Sequence, residues 1–323
     1  MRNETVVITG AFSYTGKYAT RLLLEHGYRV RTLTFHPGRD SEFGPRVEVF
    51  PYDFEHPEQL ERTLRGASCL INTYWVRFPR GHSTFDSAVR NTITLINAAG
   101  NAGIHRIVHV SIANPSVDSP LGYYRGKAQL EQAVINSGLS YAILRPTVIF
   151  GREDILINNI AWFVRHFPLF GIPGDGRYGV RPIFVEDMAR LIVGSVETQT
   201  NQVADAVGPE TFTFEELVRL IAAQIGKQVR IVHLPTVLAY FSTPLVGAFL
   251  QDVVLTWEEY KGLMSNLLAP QGQSTGQTRL SQWLSQNGEQ VGRHYASEVA
   301  RHYRGGRRPV QGQPRADKPT ASC

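Results

Sequence analysis

The chain has 323 residues, 42% of them hydrophobic and 19% charged, with 29 Gly and 18 Pro. This is ample for a large buried core and excludes a disordered chain, and no run of about 20 uncharged apolar residues marks a membrane-spanning helix. The net charge of +5 arises after Gln271, where eight Arg or Lys face three Asp or Glu, so the preceding 270 residues are neutral and give no basis for a specific nucleic-acid function.

In chain order, Thr5 to Thr9 reads as a buried strand and Thr15 to His26 as a helix. Strands follow at Tyr28 to Thr34 and Arg46 to Pro51, a helix at Pro57 to Arg65, and a strand at Ala67 to Thr73. A long helix over Ser83 to Ala102, a strand at Arg106 to Val110, a helix over Leu121 to Ser137 and a strand at Ser140 to Leu144 complete the series. Short apolar strands alternating with amphipathic helices predict an α/β fold, a Rossmann-type doubly wound parallel sheet. Residues 1–150 form the expected dinucleotide-binding core. Residues 179–200, a strand at Val180 to Val185 and a helix at Glu186 to Val196, are expected to rejoin it. Residues 151–178 and 201–303 form an expected smaller C-terminal substrate lobe, with a turn-rich loop at Gly171 to Gly176 and a helix from Thr213 to Ile225. Leu234 to Leu255 is the most apolar stretch, broken by Pro244, Gln251 and Asp252; it reads as a lid or packing helix, with a membrane-surface helix as the alternative. Residues 304–323, rich in Gly, Pro, Gln and Arg, read as a disordered basic tail, the alternative being weak attraction to RNA or anionic lipid. Two cysteines, Cys69 and Cys323, make no disulfide framework, and no secretory apolar segment precedes the first strand, so a cytoplasmic location is expected.

The segment Gly10-Ala11-Phe12-Ser13-Tyr14-Thr15-Gly16 lies between the first strand and the first helix. A strand that ends in a tight Gly turn and opens a helix leaves backbone N–H groups at the positive end of the helix dipole, which suits a diphosphate. Gly10 permits the turn and Gly16 a close approach of helix and sheet, whereas Ser13 stands where a middle glycine is usual. The second strand ends without an Asp or Glu to hold a ribose diol. Thr34, His36 and Arg39 are candidates for a 2′-phosphate, so NADP(H) is favoured over NAD(H). The segment Tyr52-Asp53-Phe54, after the third strand, is a candidate for cradling the adenine by backbone and carboxylate contacts; a turn-forming role for Asp53 is the alternative.

Tyr123 and Lys127 sit four apart, on one face of the helix after the fifth strand. A neighbouring ammonium favours the phenolate, so the pair is suited to exchanging a proton with an alcohol or carbonyl. Asn72 and Thr73 leave the fourth strand at the cofactor's expected nicotinamide end. Tyr74, Trp75 and Phe78 then form an expected apolar substrate wall with Arg77 as an anion contact, the alternative being an aromatic cluster that pins a loop. The ten His residues have no metal-ligand spacing, and no metal is expected.

Gly10…Gly16, Val110-Ser111, Tyr123…Lys127 and Arg145-Pro-Thr-Val-Ile-Phe-Gly151, in this order, resemble the short-chain dehydrogenase/reductase superfamily in its extended or atypical, epimerase/dehydratase-like branch. Ile107 to Asn114, Phe150 to Asp154 and Val185-Glu-Asp187 resemble most closely the group around the NADPH-binding accessory subunit of respiratory complex I; the likeness covers about residues 4–268. The resemblance implies that Tyr123 exchanges the proton, that Lys127 also holds the nicotinamide ribose, that Pro146 lies beside the nicotinamide ring, and that Asn91 is a structural helix residue. One departure stands out. Ser111 is followed by Ile112 where active members carry a second hydroxyl, so one polarising group is lost; Ser111 and Ser116 are the candidates to substitute, the alternative being that Ser111 only ends its strand. The expected function is an NAD(P)-dependent oxidoreductase or epimerase/dehydratase-like enzyme with a small-molecule substrate; the alternative is a catalytically impaired NADPH-binding scaffold or assembly factor.

Overall fold

The computed structural model describes residues 4–38, 41–236 and 256–302, together with Leu238 and Asp252. The basic tail beyond residue 303, Arg39 and most of the apolar stretch Leu234 to Leu255 therefore lie outside the described residues. The core begins with β1 (Thr5–Thr9), α1 (Tyr14–Glu25), β2 (Arg29–Thr34), β3 (Val47–Pro51), α2 (Pro57–Leu64) and β4 (Cys69–Asn72). It continues with α3 (Phe85–Asn101), β5 (Arg106–Val110), α4 (Gly122–Ile135) and β6 (Ser140–Pro146). Every residue of β1 is buried, because helices cover both faces of the sheet. Val6 and Ile8 pack with Ala19 and Leu23 of α1. Val7, on the opposite face, packs with Leu60 and Leu64 of α2 and with Leu95 and Ala99 of α3. At roughly 1.5–3 kcal/mol for each fully buried large aliphatic side chain, these two layers dominate the stability of the domain.

The second half contributes β7 (Ile149–Phe150), α5 (Leu156–His166), β8 (Leu169–Pro173), β9 (Gly179–Val180), β10 (Ile183–Phe184) and α6 (Val185–Glu197). After these come β11 (Gln202–Ala206), β12 (Phe212–Thr213), α7 (Phe214–Gln224), β13 (Arg230–Leu234), α8 (Trp257–Met264), α9 (Leu280–Asn287) and α10 (Glu298–His302). The main sheet has seven strands in the order β11-β6-β5-β4-β1-β2-β3, and every pairing in it is parallel. The strand order reverses between β1 and β4, the position at which sheets of this kind open a ligand crevice beyond the carboxyl ends of the strands.

Three segments differ from the expectations. Residues 171–173, expected as the start of a loop, belong to β8 because this segment finds a parallel partner in β13, more than fifty residues further on. Val180 to Val185 is not one strand of the main sheet. Pro182 has no N–H and splits it into β9 and β10, which pair with β12 and β7; α6 does return to the core, where Met188, Ile192 and Val193 pack on the α1 side of the sheet. β11, in the stretch assigned to the smaller lobe, is the seventh strand of the main sheet. A second apolar cluster gathers Phe150, Ile157, Ile160, Leu217, Ile221, Trp283 and Leu284 from β7, α5, α7 and α9.

Candidate cofactor crevice

The turn after β1 is held by its own geometry. Gly10 has φ +69°, a left-handed conformation that disfavours any side chain. A Cβ on Gly16 would stand 2.0 Å from the Gly10 carbonyl oxygen. Ser13 is the N-cap of α1: its hydroxyl accepts the Gly16 N–H at 3.3 Å, which leaves the Tyr14 and Thr15 amides for an anion. The hydroxyl of Ser13 thus serves the helix. Phe12 stacks on Phe43. The Tyr14 hydroxyl is buried without a protein partner, and a Cβ on Gly151 would come within 2.7 Å of it.

The ends of β1 and β4 are laced together. Thr9 Oγ1 accepts the N–H groups of Thr73 at 2.6 Å and Tyr74 at 3.0 Å, and Thr73 Oγ1 donates to the Thr9 carbonyl at 2.5 Å. Buried Asn72 accepts from Tyr74 N–H and meets His109 Nδ1 at 3.0 Å. Desolvation holds His109 well below the usual imidazole range, and the nearby Lys127 adds to this, so its ring is neutral.

At the β2 end, Thr34 is buried and its hydroxyl accepts the His36 N–H at 3.1 Å. His36 is exposed, while Arg39 lies outside the described residues. Asp53 accepts the His56 N–H at 3.0 Å in the turn ahead of α2 and also meets the His56 ring, so its carboxylate is engaged in the turn-forming alternative. Four rings meet here. Tyr74 stands 5.5 Å from Phe54 and 5.3 Å from Tyr52, and Phe35, 57% exposed, lies 4.6 Å from Tyr52. Tyr74 was expected in the substrate wall, but the structure moves it to this adenine end, where its hydroxyl accepts from Asn91 at 3.1 Å. Phe35 was missed; the available signal was an aromatic residue just past the end of β2, matching Tyr52 just past β3.

Lys127 is buried, donates to the Val110 carbonyl at 2.9 Å and lies 4.7 Å over the face of Trp75. Burial pushes its pKa down to about 7 against a partial opposing effect of Glu131, whose carboxylate is held by Arg145 in a two-pronged pair. Among the described residues no hydrogen bond joins Tyr123 to the ammonium. Its ring is edge-on to Trp75 at 5.5 Å and to Phe85 at 5.7 Å. Burial, then Tyr124 and Glu259, holds the phenol above its ordinary range, with Arg77 opposing. Trp75 touches both members of the pair and leans on Gly126, where a Cβ would fall 2.8 Å from its ring. The N-terminus of α4 is capped from afar, since Glu258 accepts the N–H groups of Gly122 at 2.9 Å and Tyr123 at 2.7 Å; nothing local in the sequence signals this.

Ser111 ends β5, its N–H bonded to the Leu144 carbonyl, and its hydroxyl is buried without a protein partner. Ser116 is exposed and accepts the Asp118 N–H, which takes it out of the role of a substitute hydroxyl. Pro146 is buried at the end of β6, and its carbonyl accepts from Ala113. Arg77, expected as an anion contact, is instead neutralised: Nε donates to Glu259 at 2.6 Å and Nη1 pairs with buried Glu298 of α10. Phe78 is buried. These two residues pin the loop rather than line a wall. From α10, Arg301 also reaches across to the Glu153 carbonyl and the Tyr14 ring.

The glycine cradle, the amides it leaves over, the single-bonded Lys127 ammonium and the unpartnered Ser111 hydroxyl fit a pyridine dinucleotide laid across the switch point. Residues 10–155 match the family model described as NAD(P)H-binding. The chain thus contains a stretch similar to the NAD(P)H-binding family within a Rossmann-like fold of the kind seen in reductase and epimerase structures. It is similar to NADH dehydrogenase (ubiquinone) 1 alpha subcomplex subunit 9, mitochondrial, of Arabidopsis thaliana, at 28% identity over 71% of this chain and 60% of that one. It is similar also to the ceramide reductase of Caulobacter vibrioides, at 27% identity over 71% of this chain and 73% of that one. The structure of Citrobacter sp. triphenylmethane reductase complexed with NADP(H) superposes with a TM-score of 0.71 at 18% identity, over 87% of this chain and 99% of that one. The chain spans about three-fifths of the length of the NADH dehydrogenase relatives it matches. Among the described residues no helix is long and apolar enough to cross a membrane.

Proposed function

We propose that the chain is an NAD(P)(H)-dependent oxidoreductase of the reductase/epimerase type, with NADP(H) the favoured dinucleotide and a cytoplasmic location. The observation that carries this is Lys127, a buried ammonium at the crevice with one bond to a backbone carbonyl and donors to spare. The turn from Gly10 to Gly16 holds the diphosphate through the amides of Tyr14 and Thr15, and Lys127 holds the nicotinamide ribose. The bound nicotinamide supplies or accepts the hydride. The Tyr123 phenol oxygen exchanges the proton with the substrate oxygen, and the Ser111 hydroxyl orients that oxygen in place of the donor lost at Ile112. The preference for NADP(H) rests on the lack of a carboxylate at the end of β2 and on exposed His36 beside it.

A second reading has its own support. Trp75 in contact with both Tyr123 and Lys127, together with Ile112, favours a dinucleotide-loaded scaffold or assembly factor, in keeping with the similarity to an NADH dehydrogenase subunit. In that case the dinucleotide stabilises the fold by linkage. Thermal shift with NADPH and NADH tests the shared premise, and a midpoint unmoved by either would sink both readings. Tyr123→Phe separates them. It should abolish NADPH consumption against a panel including ceramide-type and nucleotide-sugar carbonyls while leaving NADPH affinity unchanged; if the wild-type protein turns over none of the panel and the variant is indistinguishable, the scaffold stands.

A further inference from the structure

We propose that Trp75 is a positioning residue that insulates Tyr123 from Lys127, so that the pair can exchange protons only when a ligand drives the indole aside. This deepens the oxidoreductase reading and rests on it. The geometry is specific. The indole presents its face to the Lys127 ammonium at 4.7 Å and meets the Tyr123 ring edge-on at 5.5 Å. It also stacks nearly parallel on Phe85, at 5.9 Å and 6°. A glycine at 126, the position between the two members, is what lets it sit so close to α4.

The loop is anchored two residues further on, where Arg77 is clamped by Glu259 of α8 and Glu298 of α10. The indole nitrogen is buried without a protein hydrogen-bond partner. A Trp kept in place for stability alone would normally satisfy that group. The slot it fills is flat, walled by Phe85, Tyr123 and Val89 and topped by a cation. The ligand that replaces it is accordingly a planar, apolar group about the size of an indole, adjoining the oxygen that receives the proton.

The electrostatic surroundings agree. The charged and titratable groups facing Tyr123 are Tyr124 on its own helix, Glu259 of α8 and Arg77 of the β4 loop; Lys127 is not among those that move it. Glu258 binds its backbone N–H. Around Lys127 stand Glu131 and neutral His109.

The test is the ionisation of Tyr123, followed by tyrosinate absorbance as the difference between each protein and its Tyr123→Phe counterpart. In Trp75→Ala water replaces the indole, the desolvation that brings the Lys127 pKa down to about 7 is relieved and the ammonium persists at alkaline pH; the phenol should then titrate roughly one to three pH units lower than in the wild type, the effect of an opposite charge brought within reach. Adding Lys127→Met should cancel the drop, and millimolar indole, refilling the slot of Trp75→Ala, should reverse it. A merely structural Trp75 would give a drop that survives Lys127→Met, or none at all, and either result overturns the proposal. Should Trp75→Ala fail to fold, Trp75→Phe keeps the stack on Phe85 and should show a smaller drop, again dependent on Lys127; no drop there overturns the proposal equally. NADPH-induced thermal shift, measured on the same proteins, reports the parent reading. Loss of that shift in the wild type defeats dinucleotide binding, whereas an insensitive Tyr123 alongside a normal shift defeats only the role of Trp75.

Discussion

Replacing Lys127 with Met probes the crevice through stability and binding in opposite directions. The ammonium is 3% exposed, and desolvation brings its pKa from 10.5 to about 7. Since each pH unit is 1.36 kcal/mol, holding this charge in the fold costs roughly 4–5 kcal/mol at neutral pH, an upper figure because the ammonium also gains the Val110 carbonyl and the Trp75 face. The sign follows from proton counting. Between pH 7 and 10.5 the unfolded chain binds more protons at this side chain than the native one, so native stability climbs with pH through that window and levels off above it. Lys127→Met keeps most of the volume and removes the charge. It should therefore raise the free energy of unfolding at pH 7 by about 2–4 kcal/mol and erase the climb towards pH 10. At the same time the variant should lose most of the NADPH-dependent rise in Tm. Urea denaturation at pH 7 and pH 10, with and without NADPH, measures all three. A variant that is less stable than wild type at pH 7, or that keeps the climb, would refute the assignment of Lys127 as a desolvated cation awaiting a ligand.

Gly16→Ala puts a methyl 2.0 Å from the Gly10 carbonyl oxygen; the turn must open, with an expected loss of about 3 kcal/mol and no NADPH-dependent change in Tm. Asp154 is 2% exposed, accepts the Ile157 N–H at 2.7 Å and is raised by burial to about 7. The native carboxyl thus keeps its proton while the unfolded one ionises, and stability should fall as pH rises from about 4 to 7. Asp154→Asn should flatten that fall, as read by denaturation at pH 5 and pH 7. Arg77→Met removes the cation that pairs with buried Glu298 and half-buried Glu259, and a loss of about 3 kcal/mol is expected, close to that for breaking a buried pair. A loss below about 0.5 kcal/mol would place Arg77 with ordinary surface charges instead.

The fold was largely legible because its determinants are local. Val6, Val7 and Ile8 form a run that only a two-faced sheet can bury, and Gly10 and Gly16 mark the turn by what a side chain would collide with. Pro182 could be read as a break, but which partners its two fragments take could not; β9 and β10 chose β12 and β7, and β11 chose β6, by proximity that only the assembled chain creates.

The candidate site divides in the same way. Four-residue spacing put Tyr123 and Lys127 on one helix, and the tertiary structure then inserted Trp75 from the β4 loop against both. Helical spacing fixes where two side chains start and says nothing of what arrives between them. Likewise, Arg77 looked like an anion contact because its partners Glu259 and Glu298 lie 182 and more residues away. Glu258 caps α4 across 136 residues of chain. The sequence by itself determined a parallel nucleotide-binding sheet, its glycine cradle and a lysine placed at the crevice, since each rests on backbone sterics or short-range periodicity. Which charges are neutralised and which polar groups stay unpartnered at the crevice emerges with the assembled fold, because desolvation and pairing depend on segments that meet through folding alone.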